Sequence, residues 1–187
     1  MIEEYTPRAQ NGVMVLANQV FGEGYFRAKA AIGKEAGSLL LLWRGSEGRV
    51  AGFVQGRRLP KNALRGFLDH QLTDLPADID AADAAGALGV IQAIAVDVAA
   101  RRQGIGAKLL RAMHDDLVGE GADKLIVTFK RGASAANVDK LMNKLDFELW
   151  ASLPSFWAHQ CDQGAFKCAD RDDRCRCEAL LYTKAVF

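Results

Sequence analysis

The chain has 187 residues, of which 50% are apolar, so it is long enough to bury one substantial hydrophobic core and short for two domains. A formal net charge of +1 gives it no overall attraction for nucleic acid or membrane surfaces, and we expect neither as a partner. No apolar run approaches the length of a membrane span, and the opening residues M-I-E-E-Y lack the basic and apolar regions of a secretion signal. Together these features predict a cytoplasmic protein.

The clearest local pattern is an apolar strand, Leu88–Val98, that leads through a short turn into an amphipathic helix. Apolar residues recur along that helix at the spacing of one helical face: Ile105, Leu109, Leu110, Met113 and Leu117. The first turn of any helix carries unpaired backbone N–H groups and the positive end of the helix dipole. The arrangement therefore predicts an anionic ligand, such as a phosphate or pyrophosphate, at the start of this helix.

The turn itself is basic and contains glycines. Arg101 and Arg102 enter it, Gly104 and Gly106 let the backbone approach a ligand closely, and Lys108 adds charge in the first helical turn. The spacing matches neither the dinucleotide motif G-x-G-x-x-G nor the Walker motif G-x-x-x-x-G-K-[ST]. A different class of phosphate-containing ligand is therefore indicated.

The turn resembles the coenzyme A signature of the GNAT superfamily of N-acetyltransferases, [RQ]-x-x-G-x-[GA], which Arg101, Gly104 and Gly106 match in order. Ala95-Val96, followed by four residues and then Arg101, reproduces the V-x-x-x-x-R spacing that is usual in that family. The resemblance implies that acetyl coenzyme A binds here. The turn residues that would contact it are Arg101, Arg102, Gln103, Gly104, Ile105, Gly106, Ala107 and Lys108.

The resemblance extends along most of the chain and implies an α/β fold of the GNAT type, with a mixed, mostly antiparallel sheet of about seven strands and helices on both faces. In chain order the expected elements are strand Ile2–Thr6, helices Ala9–Phe21 and Tyr25–Ala36, strands Leu39–Trp43, Val50–Val54, Leu88–Val98 and Lys124–Phe129, helix Ala135–Leu145, and strands Phe147–Leu153 and Ala179–Val186. Gly45-Ser46-Glu47-Gly48 predicts the hairpin turn between the second and third strands by its own chemistry.

Members of this family bind the pantetheine arm and the thioester carbonyl with free backbone groups of the fourth strand, which the resemblance assigns to Ile94, Ala95 and Val96. Many relatives carry a glutamate base four residues before the strand valine, where this chain has Gln92. An amide does not take up a proton near neutral pH, so Gln92 could orient water or substrate but not act as a base. Met142 stands where many relatives have a tyrosine that protonates the thiolate.

Both usual catalytic side chains are therefore missing. Glu23 and Tyr25, between the first two predicted helices, are the nearest substitutes, and Glu23 is the candidate base. The flanking glycines equally favour an exposed turn glutamate without a catalytic role. Alternatively, a deprotonated amine can react through proximity and carbonyl polarisation alone. A third interpretation is a protein that binds an acyl coenzyme A and does no fast chemistry.

Two further segments stand out. Residues 61–87 look inserted, because they combine Pro76 with an acidic run and show no strong periodic face, which favours a solvated helix and loop over a lid that contacts substrate. Four cysteines then fall within a loop near residues 159–177: Cys161, Cys168, Cys175 and Cys177. Four thiolates are the ligand set of a structural zinc site. A redox or disulfide pairing, an iron–sulfur cluster, or four unrelated thiols are the alternatives.

The sequence therefore predicts a single-domain acyl-CoA-dependent N-acetyltransferase that moves an acetyl group directly from acetyl coenzyme A to an amine. A non-catalytic acyl-CoA-binding module and a zinc-stabilised interaction protein that keeps only the fold are the alternatives. The expected partners are acetyl coenzyme A and an amine acceptor that the sequence does not identify. A zinc ion and a homodimer are further expectations.

Overall fold

The computed structural model describes residues 1–25, 37–131, 135–167 and 175–186, except for the side chains of residues 135–137. Within these ranges the strands are β1 (Ile2–Glu4), β2 (Ser38–Arg44), β3 (Val50–Arg58), β4 (Leu88–Val96), β5 (Lys124–Lys130), β6 (Glu148–Leu153) and β7 (Ala179–Ala185). The helices are α1 (Gln10–Phe21), α2 (Leu64–Phe67), α3 (Ala77–Ala85), α4 (Ile105–Gly119), α5 (Ala135–Lys144) and α6 (Ala158–Asp162). The predicted helix Tyr25–Ala36 lies outside the described residues from position 26 onward.

The described strands form one sheet of seven in the order β1-β2-β3-β4-β5-β7-β6. The pair β4–β5 is parallel, and the other neighbours in this sheet are antiparallel. The predicted mixed, mostly antiparallel sheet is therefore confirmed. A parallel pair needs a long crossover connection, and here α4 supplies it.

Helices cover the sheet on both faces. The first face packs against α1, α2, α3 and the segment around α6, and the second face packs against α4 and α5. The predicted apolar face of α4 is confirmed, because all five of its residues are at most 4% exposed. Burying such a stripe supplies most of the stability of an amphipathic helix.

Two glycines of β3 let α4 lie close to the sheet. A Cβ at Gly52 would lie 3.1 Å from Leu109 Cδ1 and 3.3 Å from Ile105 Cγ2, and one at Gly56 would lie 2.8 Å from Met113 Sδ. Larger residues at these positions would push the helix outward. The two glycines therefore help to set where the first turn of α4 lies relative to the end of β4.

The inserted segment, residues 61–87, forms helices and loops with most residues exposed, as predicted, but it is also anchored in the core. Leu64, Leu68 and Ile79 are each at most 1% exposed and belong to the core of the first face. The alanine-rich and acidic composition shows no periodic apolar pattern from which the burial of these three residues could be predicted. Asp83, one of the acidic residues, is also buried at 1% exposed.

The predicted strand Leu88–Val98 is two residues too long at its end. The Asp97 carboxylate accepts a hydrogen bond from the Ala99 N–H at 2.8 Å and starts a 3₁₀ turn, Val98–Ala100, in place of further strand. In the described ranges no helix has the length and apolar character that crossing a membrane requires.

Candidate active site

A β-bulge interrupts β4 at Gln92. Gln55 of β3 pairs with Ala93 and the next residue, Gly56, pairs with Ile91, so Gln92 is an extra residue without a partner in this register. Side chains alternate along a strand, and the extra residue reverses that alternation. Val90 and Ala93 consequently lie on the first face, although they are three positions apart.

The pairing between β4 and β5 ends immediately before this bulge. The register runs from Leu88 with Lys124 to Ile91 with Val127, and the rest of each strand lies apart from the other. The Thr128 hydroxyl donates to the Ile91 carbonyl at 3.3 Å where the two strands separate. The parallel pair is thus open at the carboxyl end of β4, which is the end that leads into α4.

Backbone groups of β4 face this opening. The Asp97 N–H donates to the Ala51 carbonyl of β3 at 2.9 Å, and N–H and C=O directions alternate along a strand. The backbone groups of Ala95 therefore point toward β3, whereas those of Ile94 and Val96 point toward the opening. Coenzyme binding by the backbone of Ile94, Ala95 and Val96 remains a prediction.

The turn after β4 provides a second set of free groups. Arg102 (φ 63°) and Gly104 (φ 75°) both have left-handed backbone conformations, and α4 begins after Gly104. Lys108 makes the first backbone bond of the helix, to the Gly104 carbonyl at 3.1 Å. The N–H groups of residues 102–107 make no hydrogen bond within the described residues. Consecutive free N–H groups at a helix N-terminus bind anions well.

The side chains of this turn have different surroundings. Arg101 is exposed, and its Nε donates to the Val96 carbonyl at 3.1 Å, so its guanidinium lies at the mouth of the opening. Arg102 and Gln103 are exposed, whereas the Ile105 side chain is buried in the core of the second face. The Lys108 ammonium lies 5.1 Å from the centre of the Trp43 ring, a cation–π contact on the side of β2.

An apolar chamber adjoins the opening. Its walls come from the separated ends of β4 and β5, the end of α1 and the segments around α6 and β7, and its lining residues are Phe21, Tyr25, Gln92, Ala93, Ile94, Thr128, Phe129, Lys130, Trp157, Phe166, Cys175 and Cys177. Aromatic rings contribute much of this surface. We call this space the acceptor chamber, a name that anticipates the role we propose for it.

Three of the rings form a continuous wall. Phe21 stacks on Tyr25, with ring centres 4.7 Å apart and an interplanar angle of 28°. Phe166 meets Tyr25 edge to face at 5.5 Å. Tyr25 is 6% exposed, and burial raises its pKa well above the usual range, so its phenol stays protonated at physiological pH. Tyr25 is therefore a neutral group of this wall.

The two predicted catalytic residues are not brought together. Gln92 is half-buried and lines the acceptor chamber, and its side-chain amide makes no hydrogen bond within the described residues. Glu23 is exposed and does not line the chamber, and its backbone carbonyl accepts the Lys167 N–H at 2.8 Å. The catalytic roles of Gln92 and Glu23 remain predictions.

The cysteines do not form a ligand set in the described part of the chain. No group of three or more His, Cys, Asp or Glu side chains there is arranged to hold a metal ion. Cys168 lies outside the described residues. Cys175 is 2% exposed and packs in the core of the first face. Zinc binding by Cys161, Cys168, Cys175 and Cys177 remains a prediction without structural support.

Sequence reasoning missed most of the acceptor chamber. Phe21 lies in a predicted helix and Phe129 in a predicted strand, whereas Trp157 and Phe166 lie outside every predicted helix and strand. No local motif marks these residues, because they come from four separate segments of the chain. The tyrosine position of relatives, Met142, is fully buried between α5 and the sheet and lines no part of the chamber.

Comparisons with known proteins agree with this architecture. Solved structures with similar folds include the ribosomal-protein-S18-alanine N-acetyltransferase from Escherichia coli (16% identity, 99% of this chain and 92% of that chain, TM-score 0.64). The ribosomal-protein-alanine N-acetyltransferase from Brucella melitensis is also similar (15%, 100% and 99%, TM-score 0.61), as is the NatC complex bound to Gag peptide and CoA (14%, 100% and 98%, TM-score 0.63). At these identities the likeness shows the fold alone.

No curated protein matches the chain by sequence. The family model described as "Acetyltransferase (GNAT) family" matches residues 9–147, which include the bulge, the opening and the turn. The match covers well over half of the chain, and the chain therefore belongs to the GNAT family of acetyltransferases, enzymes that transfer an acetyl group from acetyl coenzyme A to an amine.

Proposed function

We propose that the opening between β4 and β5 holds acetyl coenzyme A and presents its thioester to an amine in the acceptor chamber. The pyrophosphate would accept hydrogen bonds from the free N–H groups of residues 102–107, and Arg101 would turn from the Val96 carbonyl toward a phosphate. The pantetheine arm would lie along the backbone groups of Ile94 and Val96. The loss of strand pairing beyond Ile91 and Val127, next to a turn with free N–H groups, is the observation that supports this proposal best.

In the reaction, the lone pair of the amine forms a bond to the acetyl carbon, the C–S bond breaks, and coenzyme A leaves as a thiolate. The nitrogen loses one proton, which neutralises the thiolate directly or through water. Backbone N–H groups that face the opening would stabilise the carbonyl oxygen as negative charge develops on it. Holding amine and thioester in contact supplies much of the rate increase.

Gln92 would act as a hydrogen-bond group. It lies at the bulge where the strands separate, and its amide can both donate and accept, so it would orient the amine or a water molecule next to the thioester. Tyr25 keeps its proton and can serve only as a hydrogen-bond group or proton donor. Glu23 becomes the base only if it moves from its exposed position into the chamber.

We propose that the reaction takes place in the cytoplasm. The composition and net charge of the chain support this location, as they predict a cytoplasmic protein.

The test combines binding with turnover. Titration calorimetry with acetyl coenzyme A should give one site per chain, and a thiol assay should show coenzyme A release that depends on an added amine. The acetylated amine should be found by mass spectrometry in equal amount to the released thiol. Binding of one acetyl coenzyme A per chain, with no amine-dependent release across a broad amine panel, would instead establish a non-catalytic binding module.

A further inference from the structure

A second cavity lies beside the turn after β4, on the side of β2 and β3. Its volume is about 520 Å³, within the range of roughly 300–1,000 Å³ that is typical of small-molecule sites. Its walls come from α1 and the turn before it, the hairpin between β2 and β3, and the segment from Asp97 to Ile105. Gln103 and Ile105 belong both to the turn and to this cavity. We call this space the hairpin cavity.

The described lining of the hairpin cavity is mainly basic. Arg8, Arg44 and Arg49 contribute guanidinium groups, and Asp97 is the one carboxylate of that described lining. Arg44 is already paired, because its Nε donates to Glu3 Oε1 at 2.6 Å. Arg8 and Arg49 are exposed, and their side chains make no hydrogen bond or ion pair with a described residue. These two arginines can therefore turn toward an anion in the cavity without giving up a contact seen in the described residues.

The hairpin cavity also has an aromatic wall. Trp43 lines it with a half-buried side chain, and the Lys108 ammonium lies 5.1 Å from the centre of its ring. Flat bases stack on aromatic side chains, and an indole offers the largest ring surface for such stacking. Cations that suit a phosphate, together with a ring that suits a base, are the groups that recognise a phosphorylated nucleoside.

Acetyl coenzyme A carries a phosphorylated nucleoside next to its pyrophosphate. The pyrophosphate joins the pantetheine arm to an adenosine whose ribose bears a 3′-phosphate. When the arm lies along Ile94 and Val96 and the pyrophosphate lies on the turn, the nucleoside is the part of the coenzyme that extends beyond the turn. The hairpin cavity begins there, at Gln103.

Resting on the proposed function, we infer that the hairpin cavity holds the 3′-phosphoadenosine group of acetyl coenzyme A. Arg8 and Arg49 bind the 3′-phosphate, and the adenine lies against Trp43. A phosphate monoester carries a charge of about −1.5 to −2 at neutral pH, so two guanidinium groups are a matched partner for it. The enzyme should consequently distinguish acetyl coenzyme A from the same molecule without the 3′-phosphate.

The test compares acetyl coenzyme A with acetyl 3′-dephospho-coenzyme A by titration calorimetry. The wild type should bind the complete coenzyme at least about tenfold more tightly. Arg8→Ala and Arg49→Ala should each raise Kd for acetyl coenzyme A about three- to tenfold and leave Kd for the dephospho form unchanged. The double variant should bind the two coenzymes almost equally. In turnover, KM for acetyl coenzyme A should rise with Kd while kcat stays level, because neither arginine touches the thioester.

Arg111→Ala is the charge-matched control. Arg111 is an exposed arginine of α4 that does not line the hairpin cavity, so its removal changes the net charge by the same amount. This variant should keep the wild-type preference for the complete coenzyme. Adenosine 3′,5′-bisphosphate provides a second probe, since it should compete with acetyl coenzyme A for the wild type and more weakly for the double variant.

Three outcomes would overturn the inference. The first is equal affinity of the wild type for the two coenzymes. The second is normal binding of acetyl coenzyme A by the double variant, with the preference lost in Arg111→Ala, which would place the nucleoside along α4. Both leave the proposed function intact. The third is a wild type that binds neither coenzyme, and this result alone would overturn the proposed function as well.

Discussion

The buried carboxylate of Asp83, in α3, accepts hydrogen bonds from two backbone N–H groups at the start of α2, Ala63 and Leu64, both at 3.1 Å. The same residue accepts the Asn62 N–H through its backbone carbonyl at 3.0 Å. One side chain thus ties the two helices of the inserted segment together. It also holds Leu64 in the core of the first face.

Replacing Asp83 with alanine should leave these N–H groups buried without a partner and lower the free energy of unfolding by about 1–3 kcal/mol. Urea denaturation of the wild type and the variant measures this loss. Asp80→Ala, in the same helix, is the matched control. Both side chains of the Asp80–Arg65 ion pair are exposed, so the pair should contribute at most about 1 kcal/mol to the free energy of unfolding. Equal losses in the two variants would contradict the role of Asp83.

Gly106→Glu should abolish acetyl coenzyme A binding with little change in stability. A Cβ at Gly106 would lie 3.8 Å from Val96 Cγ2, an ordinary contact, so the variant can fold, while its carboxylate repels the pyrophosphate beside the free N–H groups. Calorimetry gives the affinity and thermal melting gives the stability. Gly119→Glu, at the other end of the same helix and in open space, should bind normally. Unchanged affinity in Gly106→Glu would refute the coenzyme site.

Arg101→Ala should weaken acetyl coenzyme A binding by about 1.5–3 kcal/mol, which is roughly 10- to 150-fold in Kd, because a charged hydrogen bond to phosphate is lost. Arg101→Lys should recover part of this loss, since it keeps the charge without the planar guanidinium. Calorimetry at two salt concentrations should show a smaller salt dependence for the alanine variant. If Arg101→Ala binds with wild-type affinity, Arg101 serves only to hold the Val96 carbonyl.

The contact between Asp78 and Lys124 predicts a pH dependence of stability. The hydrogen bond from Lys124, supported by its positive charge, lowers the pKa of Asp78 below the ordinary value. A lowered carboxyl pKa contributes stability that is present above the unfolded pKa, about 4, and is lost as pH falls through the folded pKa. Because the Asp78 side chain is 64% exposed, the contribution should stay below about 1 kcal/mol.

Asp78→Asn should therefore be less stable than the wild type near neutral pH, and the difference should shrink as pH falls below about 4. Urea denaturation across that range measures the difference. Asp74→Asn is the control, because it removes an exposed carboxylate of the same segment that makes no hydrogen bond or ion pair in the described residues. Its stability should match that of the wild type across the whole pH range. A constant difference between Asp78→Asn and the wild type would show that the ion pair does not cause it.

The sequence was informative where a single periodicity or motif dominated. The stripe of α4 predicted its buried face, and the helix begins directly after Gly104 of the predicted turn. The run from Leu88 to Val96 predicted a strand, yet it is apolar on both faces and so carries no alternation that could locate a bulge at Gln92. The acceptor chamber could not be predicted, since Phe21 and Cys177 lie at opposite ends of the chain.

The bulge at Gln92 changes which residues of β4 lie on each face of the sheet. Before it, even-numbered residues such as Val90 belong to the first face, and after it odd-numbered residues such as Ala95 do. If Gln92 were paired as a regular strand residue, Ala93 and Ile94 would exchange faces. Deleting Gln92 should therefore remove the bulge and leave Ala93 and every later side chain on its present face, so the enzyme would lose the Gln92 amide and the local bend while keeping the packing of β4.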